Sequence, residues 1–264
     1  MRLIVAVLSL LLLMVTTAYA GPPMITDDAG MVDVGKVEIE LNSSYIHDKE
    51  SINGISVRRD VFDGDTKLTT GLYKNLGISL TIPYTFSDRT KEDGTLTDRA
   101  DGFGDLTAEL KYAFAELAGI TFAAKPSVTM PTGKNNASLS EGRWQFGGTL
   151  IASREFDDST YALHSNLGYI QHDYRTDEAK ACNRSNVWFG SLAGEAKVFK
   201  GFTAVAELGL STTQDSTTNE LTSFAQVGAR YEVNEHMDID AGLKLGLTKP
   251  EDDLTVHYGI VLKF

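Results

Sequence analysis

Charged side chains recur at every second position in several long stretches of this sequence. In residues 104–115 and 237–247 the alternate positions carry Asp, Glu, Lys or small residues, and the positions between them are apolar. Side chains two residues apart share one face of a β-strand, so these stretches predict strands with one charged face. The candidate residues, which we interpret as lining one common interior, are Glu38, Glu40, Lys67, Asp105, Glu109, Lys111, Lys125, His164, Glu207, Arg230, Glu232, Asp238, Asp240, Lys244, His257 and Lys263.

The signs of these charges limit what such an interior could do. Glu195 and Lys197 follow the same alternation, and with them the set holds nine acids and seven bases. Selective ion pores use rings of one sign, so the near balance argues against strong ion selectivity. Two interpretations stay open, a polar path that passes small solutes and a paired network that braces a wall and leaves little through-channel.

Histidine and serine raise the alternative of catalysis. A Ser–His pair needs the imidazole within hydrogen-bonding reach of the hydroxyl. His47 lies close in sequence to Ser43 and Ser44 and is the best candidate. Carboxylates on the charged face could in principle act as acid–base pairs, but a charged interior predicts the same residues without chemistry. We therefore predict no catalytic residue.

Metal, cofactor and redox sites have weak support in the sequence. Residues 63–65 and 251–253 are acidic fragments, but neither matches a complete calcium loop. Residues 130–134 lack the upstream glycine of a phosphate-binding loop. Cys182 is the single cysteine, which excludes an intramolecular disulfide framework. We predict no cofactor and no metal site.

The length of the alternating segments indicates which way their apolar face points. Most have eleven or more residues, whereas strands of soluble proteins have about five or six and tilted membrane-spanning strands about 9–11. The charged face is too rich in ionic groups to form a dry core, so the apolar face belongs outside, in lipid. The sequence therefore predicts an all-β fold, an antiparallel transmembrane β-barrel with twelve strands near 35–46, 61–73, 77–87, 104–115, 119–131, 143–155, 159–170, 186–198, 202–212, 221–232, 237–247 and 254–264.

Connections and aromatic residues agree with a barrel. Outward-facing aromatics fall at two levels, with Tyr84 and Phe86 at one and Phe114 and Phe264 at the other, as in the interfacial girdles of such barrels. The last strand ends on Phe264, which resembles the carboxy-terminal signature of bacterial outer-membrane barrels. Short turns, typical of the periplasmic side, alternate with long polar loops predicted at 47–60, 88–103, 132–142, 171–185, 213–220 and 248–253.

The amino-terminal residues predict export. Arg2, an uncharged apolar run over 3–15 and the small-x-small triplet at 18–20 fit a signal peptide over residues 1–20, cleaved near Ala20. Residues 21–34 then form a segment that lies either in the periplasm or in the lumen as a strap, and residues 35–264 form the barrel. With 36 acidic and 24 basic residues the net charge is −12, which argues against nucleic acid as a partner.

Several local motifs carry a family resemblance. Pro22-Pro-Met-Ile-Thr-Asp-Asp-Ala-Gly30 precedes Gly35-Lys-Val-Glu-Ile39, and Gly102-Phe-Gly-Asp-Leu106, Met130-Pro-Thr-Gly133 and Asn166-Leu-Gly-Tyr169 follow. In that order they resemble a family of outer-membrane barrels, regarded as transporters, that is named for a phenol meta-degradation pathway protein. The resemblance implies a barrel and uptake of small compounds, including aromatic or hydrophobic ones. It supplies no catalytic or binding residue.

The leading prediction is a monomeric channel or transporter in the Gram-negative outer membrane for passive uptake of small solutes. Its expected partners are outer-membrane lipid and lipopolysaccharide, the barrel-assembly machinery acting on the strand that ends at Phe264, and the solute. Two alternatives remain, a structural or adhesive barrel with a blocked lumen and, third, an outer-membrane hydrolase whose reactive groups would have to meet lipid at the outer face.

Overall fold

Antiparallel strands dominate the computed structural model, which describes residues 22–52, 54–134 and 139–264. The signal peptide predicted over 1–20 lies outside the described residues. No helix in the described ranges is long and apolar enough to cross a membrane. The elements are β1 (Val37–Ile52), β2 (Ile55–Tyr73), β3 (Leu76–Glu92), β4 (Thr95–Phe103), β5 (Leu106–Leu117), β6 (Ile120–Met130), β7 (Gln145–Phe156), β8 (Tyr161–Gln171), α1 (Asp177–Cys182), β9 (Asn186–Phe199), β10 (Phe202–Thr212), β11 (Leu221–Asn234), β12 (Met237–Gly246) and β13 (Leu254–Lys263).

The sheet closes on itself. Each strand pairs with its neighbour in the chain, except that β5 pairs with β3 and not with β4, and β13 pairs with β1 so that Lys263 lies opposite Glu38. Strand β3 pairs with β5 along its first part and with β4 along its last part. Strands β4 and β5 therefore form one barrel strand, interrupted at Gly104 and Asp105. The predicted all-β antiparallel barrel of twelve strands is confirmed, and closure leaves no open sheet edge in the bilayer.

Two of the predicted outer loops were wrong. Residues 47–60 and 88–103 belong largely to strands, because β1–β2 and β3–β4 continue as long hairpins past the level at which the other strands end. The second hairpin turns at Asp93 and Gly94, both with positive φ, of 46° and 82°. An Asp-Gly pair in this conformation matches the twist of the flanking strands. The sequence shows no alternation here because both faces of these hairpins are polar.

Burial in the barrel is the reverse of that in a soluble protein. On β8 the buried side chains are Ala162, His164 and Asn166, whereas Leu163 and Leu167 are about half exposed. The buried apolar cluster in the described residues is small and centres on small side chains and Ile151. Contact between water and the many exposed apolar side chains of the outer face would be unfavourable, so this face suits lipid.

Aromatic contacts concentrate at the two ends of the barrel. At one end Tyr84 packs edge-on against Phe103 with 4.8 Å between ring centroids, and Tyr169 and Trp188 lie 4.7 Å apart. At the other end Phe199 stacks on Phe202 at 4.7 Å. Rings at these levels suit the two lipid–water interfaces.

Candidate functional site

The amino-terminal segment lies inside the barrel. We call residues 22–34 the strap. The backbone N–H of Thr26 and its hydroxyl donate to the Glu207 carboxylate at 2.8 and 2.7 Å, and the Gln226 amide donates to the carbonyl oxygen of Pro23. Thr26, Glu207 and Gln226 are all nearly inaccessible to solvent. The sequence had left the position of this segment open, and the structure has it across the lumen.

Buried ion pairs join the strap to the opposite wall. The Asp27 carboxylate lies 3.1 Å from Lys111 Nζ and 2.9 Å from Lys125 Nζ. Lys111 also donates to the carbonyl oxygen of Asp28, at 3.0 Å, and Lys125 lies 3.1 Å from Glu109. Charges removed from water need such partners, so these contacts hold the two lysines and the strap in one network.

Glycines in the wall make room for the strap. A β-carbon at Gly228 would lie 2.6 Å from Pro23 Cγ, and one at Gly242 would lie 2.9 Å from Pro23 Cβ. Near the other end of the strap, a β-carbon at Gly71 would lie 2.2 Å from the carbonyl oxygen of Val32. The strap therefore touches the wall where side chains are missing, at both of its ends.

The remaining candidate residues divide into paired and unpaired groups. Several form ion pairs across the wall: Glu40–Lys67 at 3.1 Å, Glu195–Arg230 at 3.2 Å, Asp238–Lys263 at 2.6 Å and Lys244–Glu251 at 2.5 Å. Among the described residues, Glu38, Asp240 and His257 belong to no ion pair. Glu232 is exposed near the short-turn end, away from the strap.

Asp105 serves a different purpose from its neighbours on β5. It lies at the break between β4 and β5 and accepts hydrogen bonds from the backbone N–H of Gly133 at 2.8 Å and the Ser140 hydroxyl at 3.0 Å. Both donors belong to the connection between β6 and β7. The carboxylate therefore anchors an outer loop at the barrel mouth.

Three outer loops meet above the lumen. Glu141 lies 3.1 Å from His172 and accepts a 2.9 Å hydrogen bond from Gln214, which also donates to the Tyr174 hydroxyl at 2.9 Å. Tyr174 in turn donates to the carbonyl oxygen of Arg184, and burial raises the pKa of its hydroxyl, so it stays a donor. A cavity of about 470 Å³ lies among these loops. These contacts narrow one side of the mouth.

The open space in the lumen lies beside the strap. A cavity of about 370 Å³ is bounded by the strap and by residues of β1, β2, β3, β5, β6, β12 and β13. Its polar lining includes Glu38, Asn42, Asp65, Asp240 and His257. A cavity of this volume is within the range of small-molecule sites.

The serine–histidine pairing expected for a hydrolase is absent at His47 in the described structure. His47 Nδ1 lies 2.8 Å from Asp60, and the Ser44 hydroxyl bonds to Asp63. A different pair, Ser153 and His164, lies 2.9 Å apart, and it could not be predicted from sequence spacing because the residues are on separate strands. His164 is 2% exposed beneath the strap, so it cannot meet a lipid substrate at the outer face.

Metal-binding geometry is likewise missing from the described residues, which contain no group of three or more His, Cys, Asp or Glu placed to hold an ion. The acidic fragments at 63–65 and 251–253 contribute instead to hydrogen bonds and ion pairs with the wall. Cys182 is exposed at the end of α1.

A glycine on the lumen side of β8 supports an aromatic ring and gives a stability test. The ring of Phe189 lies over Gly168, where a β-carbon would be 1.9 Å from Phe189 Cζ. We expect Gly168→Ala to lower the free energy of unfolding by about 1–3 kcal/mol, because the ring must leave its position. Gly190→Ala is the matched control, since its β-carbon would meet nothing closer than 3.7 Å. Urea unfolding in lipid vesicles measures both, and equal values would contradict this packing role.

The comparisons with known proteins agree with this architecture. Residues 41–264 match the family described as "Putative MetA-pathway of phenol degradation". An outer membrane channel from Pseudomonas putida F1 is 18% identical, with a TM-score of 0.74 over 93% of this chain and 100% of that one. The translocator domain of the autotransporter NalP from Neisseria meningitidis is 11% identical, with a TM-score of 0.56 over 88% and 90%.

A third solved structure, the toluene transporter TodX from Pseudomonas putida, is 8% identical, with a TM-score of 0.51 over 88% of this chain and 89% of that one. No curated protein sequence matches the chain. At these identities the structural matches establish the barrel fold alone.

Proposed function

Because the chain belongs to the family described as "Putative MetA-pathway of phenol degradation", we propose that it is an outer-membrane channel for passive uptake of small solutes, including hydrophobic and aromatic ones. The observation that carries the proposal is the cavity of about 370 Å³ that stays open beside the strap in a barrel with an apolar outer face. The similar solved structures include an outer membrane channel and a toluene transporter, which supports the same class.

Passage through this lumen requires no catalytic step. A solute would enter between the outer loops, pass the cavity beside the strap and leave near the short turns. The width of the cavity and its hydrogen-bonding groups would set selectivity. The charged candidate residues line this path or hold the strap and loops that narrow it. The role is not enzymatic, and we assign no cofactor.

Export and membrane insertion belong to the same proposal. Residues 1–20 act as a signal peptide, and β13 with the terminal Phe264 is the segment used by the barrel-assembly machinery. The barrel is monomeric, its outer face meets lipid, and its outer hairpins meet lipopolysaccharide. The closed β1–β13 pairing and the exposed apolar side chains support this placement.

A second function, a structural or adhesive barrel with a blocked lumen, is favoured by one observation. The strap crosses the interior and is tied to it by the buried Asp27–Lys111 and Asp27–Lys125 pairs. In that case the strap closes the lumen and no solute crosses. The long β1–β2 and β3–β4 hairpins would then make the adhesive contacts.

Single-channel recording of the refolded barrel in planar bilayers separates the two functions. The channel proposal expects stable conductance steps, and liposomes containing the barrel should admit small aromatic solutes. We expect His257→Trp, which fills the cavity, to reduce both conductance and flux. His236→Trp, at an exposed turn, is the matched control and should leave both unchanged. Absence of any conductance or solute flux would support the blocked barrel instead.

A further inference from the structure

Buried polar atoms without hydrogen-bond partners belong to four of the residues that line the cavity beside the strap. They are Asn42 Oδ1, Thr69 Oγ1, Asp240 Oδ2 and His257 Nε2, and none has a partner within the described residues. Buried polar atoms are nearly always bonded, because leaving one unpaired costs its solvation. Their concentration around one cavity points to a ligand that supplies the missing bonds.

Two of these atoms converge over Gly259, where the missing side chain leaves room for them. Asn42 on β1 and Asp240 on β12 each lie opposite Gly259 on β13, so the three residues form one row across the sheet. A β-carbon at position 259 would lie 2.6 Å from Asp240 Oδ2 and 3.0 Å from Asn42 Oδ1. The two oxygen atoms therefore converge on one point above Gly259, and we call the space between them the gap.

Both atoms at this gap are hydrogen-bond acceptors. The Asn42 amide nitrogen donates to Asp65 at 3.1 Å, which orients its oxygen towards the gap. Asp240 is 8% exposed and forms no ion pair in the described residues. Its cross-strand neighbour Arg230 donates to Glu195 instead, at 3.2 Å. Two acceptors that converge in this way can share one donor placed between them.

The excess of acidic side chains around the cavity favours a cationic hydrogen-bond donor. Seven acidic and three basic side chains line it. The three lysines are already engaged, Lys67 with Glu40 and the other two with Asp27 and its neighbours. Asp240 stays without a cationic partner. A cationic donor makes stronger bonds to a carboxylate than a neutral donor, and more so in a partly dry site.

We propose that the gap between Asn42 and Asp240 binds the ammonium group of a small organic cation, with the cavity holding the rest of the molecule. His257 and Thr69 border the same cavity and would contact the remainder of the ligand. This site deepens the proposed function and rests on it, since a solute reaches the gap through the lumen. It gives the channel a preference for amines that the near balance of charges in the sequence did not predict.

Calorimetric titration of the refolded barrel in detergent micelles tests the site with benzylammonium and benzyl alcohol, which differ in the head group alone. We expect benzylammonium to bind at least about tenfold more tightly. Asp240→Asn should weaken its binding by about tenfold or more, because the charge is lost. Gly259→Ala keeps every charge and fills the gap, and it should weaken binding to a similar extent.

Glu220→Gln, which removes a charge from an exposed outer loop, is the matched control and should bind as the unmodified protein does. Equal affinity for the two compounds would overturn the proposal. So would weaker binding in Asp240→Asn with unchanged binding in Gly259→Ala, because the lumen charge alone would then account for attraction. If Asp240→Asn fails to fold, Gly259→Ala and the comparison of the two compounds still decide. Titration does not depend on conductance, so failure of the site is distinguishable from failure of the channel.

Discussion

Removal of the strap is expected to raise the single-channel conductance of the barrel by about twofold or more, because a twelve-stranded lumen is narrow and the strap crosses it. Deletion of residues 22–33 would remove the contacts of Thr26 with Glu207 and of Asp27 with the two lysines. Planar-bilayer recording of the shortened barrel measures the effect. Unchanged conductance would mean that the strap does not limit the open path.

The same deletion is expected to destabilise the barrel. Removing one partner of a buried ion pair costs about 3–5 kcal/mol when the other charge stays buried. Water entering the widened lumen will offset part of this cost for Lys111 and Lys125, so we expect a smaller loss. Asp27→Asn removes the charge that pairs with the two lysines and leaves the rest of the strap in place. Asp33→Asn, at an exposed position of the strap, is its matched control. Increased current noise in the first and none in the second would show that the ion pairs hold the strap.

Much of the barrel could be predicted because lipid imposes a strict pattern on its strands. Along β12, Ile239 and Leu243 must face lipid while Asp238 and Asp240 face inward, so alternation is continuous. The same constraint ends where the strands leave the membrane. The tip of the hairpin that turns at Asp93 and Gly94 is exposed on both faces, so its residues show no alternating pattern.

The interior was less predictable than the wall. Glu40 lies directly opposite Lys67 on the neighbouring strand, so register alone would suggest their ion pair. Arg230 lies opposite Asp240 in the same way, yet it bonds to Glu195 two strands away. The partner that a long side chain reaches depends on the curvature of the closed wall and on competing groups. Neither can be predicted from the local sequence.

The strap was the largest feature that the sequence left open. Its polar residues find partners about 80–180 positions away along the chain, such as Lys111 and Glu207, and its prolines are compatible with many extended paths. The informative signal was the set of glycines on lumen-facing positions. Gly228 and Gly242 lack a side chain where Pro23 packs, but a glycine on the inward face of a strand has several explanations until its packing partner is known.

Placing an arginine on the middle of the outer face is expected to be the most damaging single change in the barrel. Leu192 lies midway along β9 and is 55% exposed on the apolar surface. Leu192→Arg should destabilise the folded barrel by about 2–4 kcal/mol in a bilayer, because the charge would lie at the hydrocarbon midplane. Leu221→Arg makes the same substitution at the outer end of β11, where the cost should fall to about 0–1 kcal/mol. Urea unfolding in lipid vesicles measures both variants. A similar loss at the two positions would contradict a membrane-spanning orientation of these strands, since a water-exposed surface would accept arginine equally at either depth.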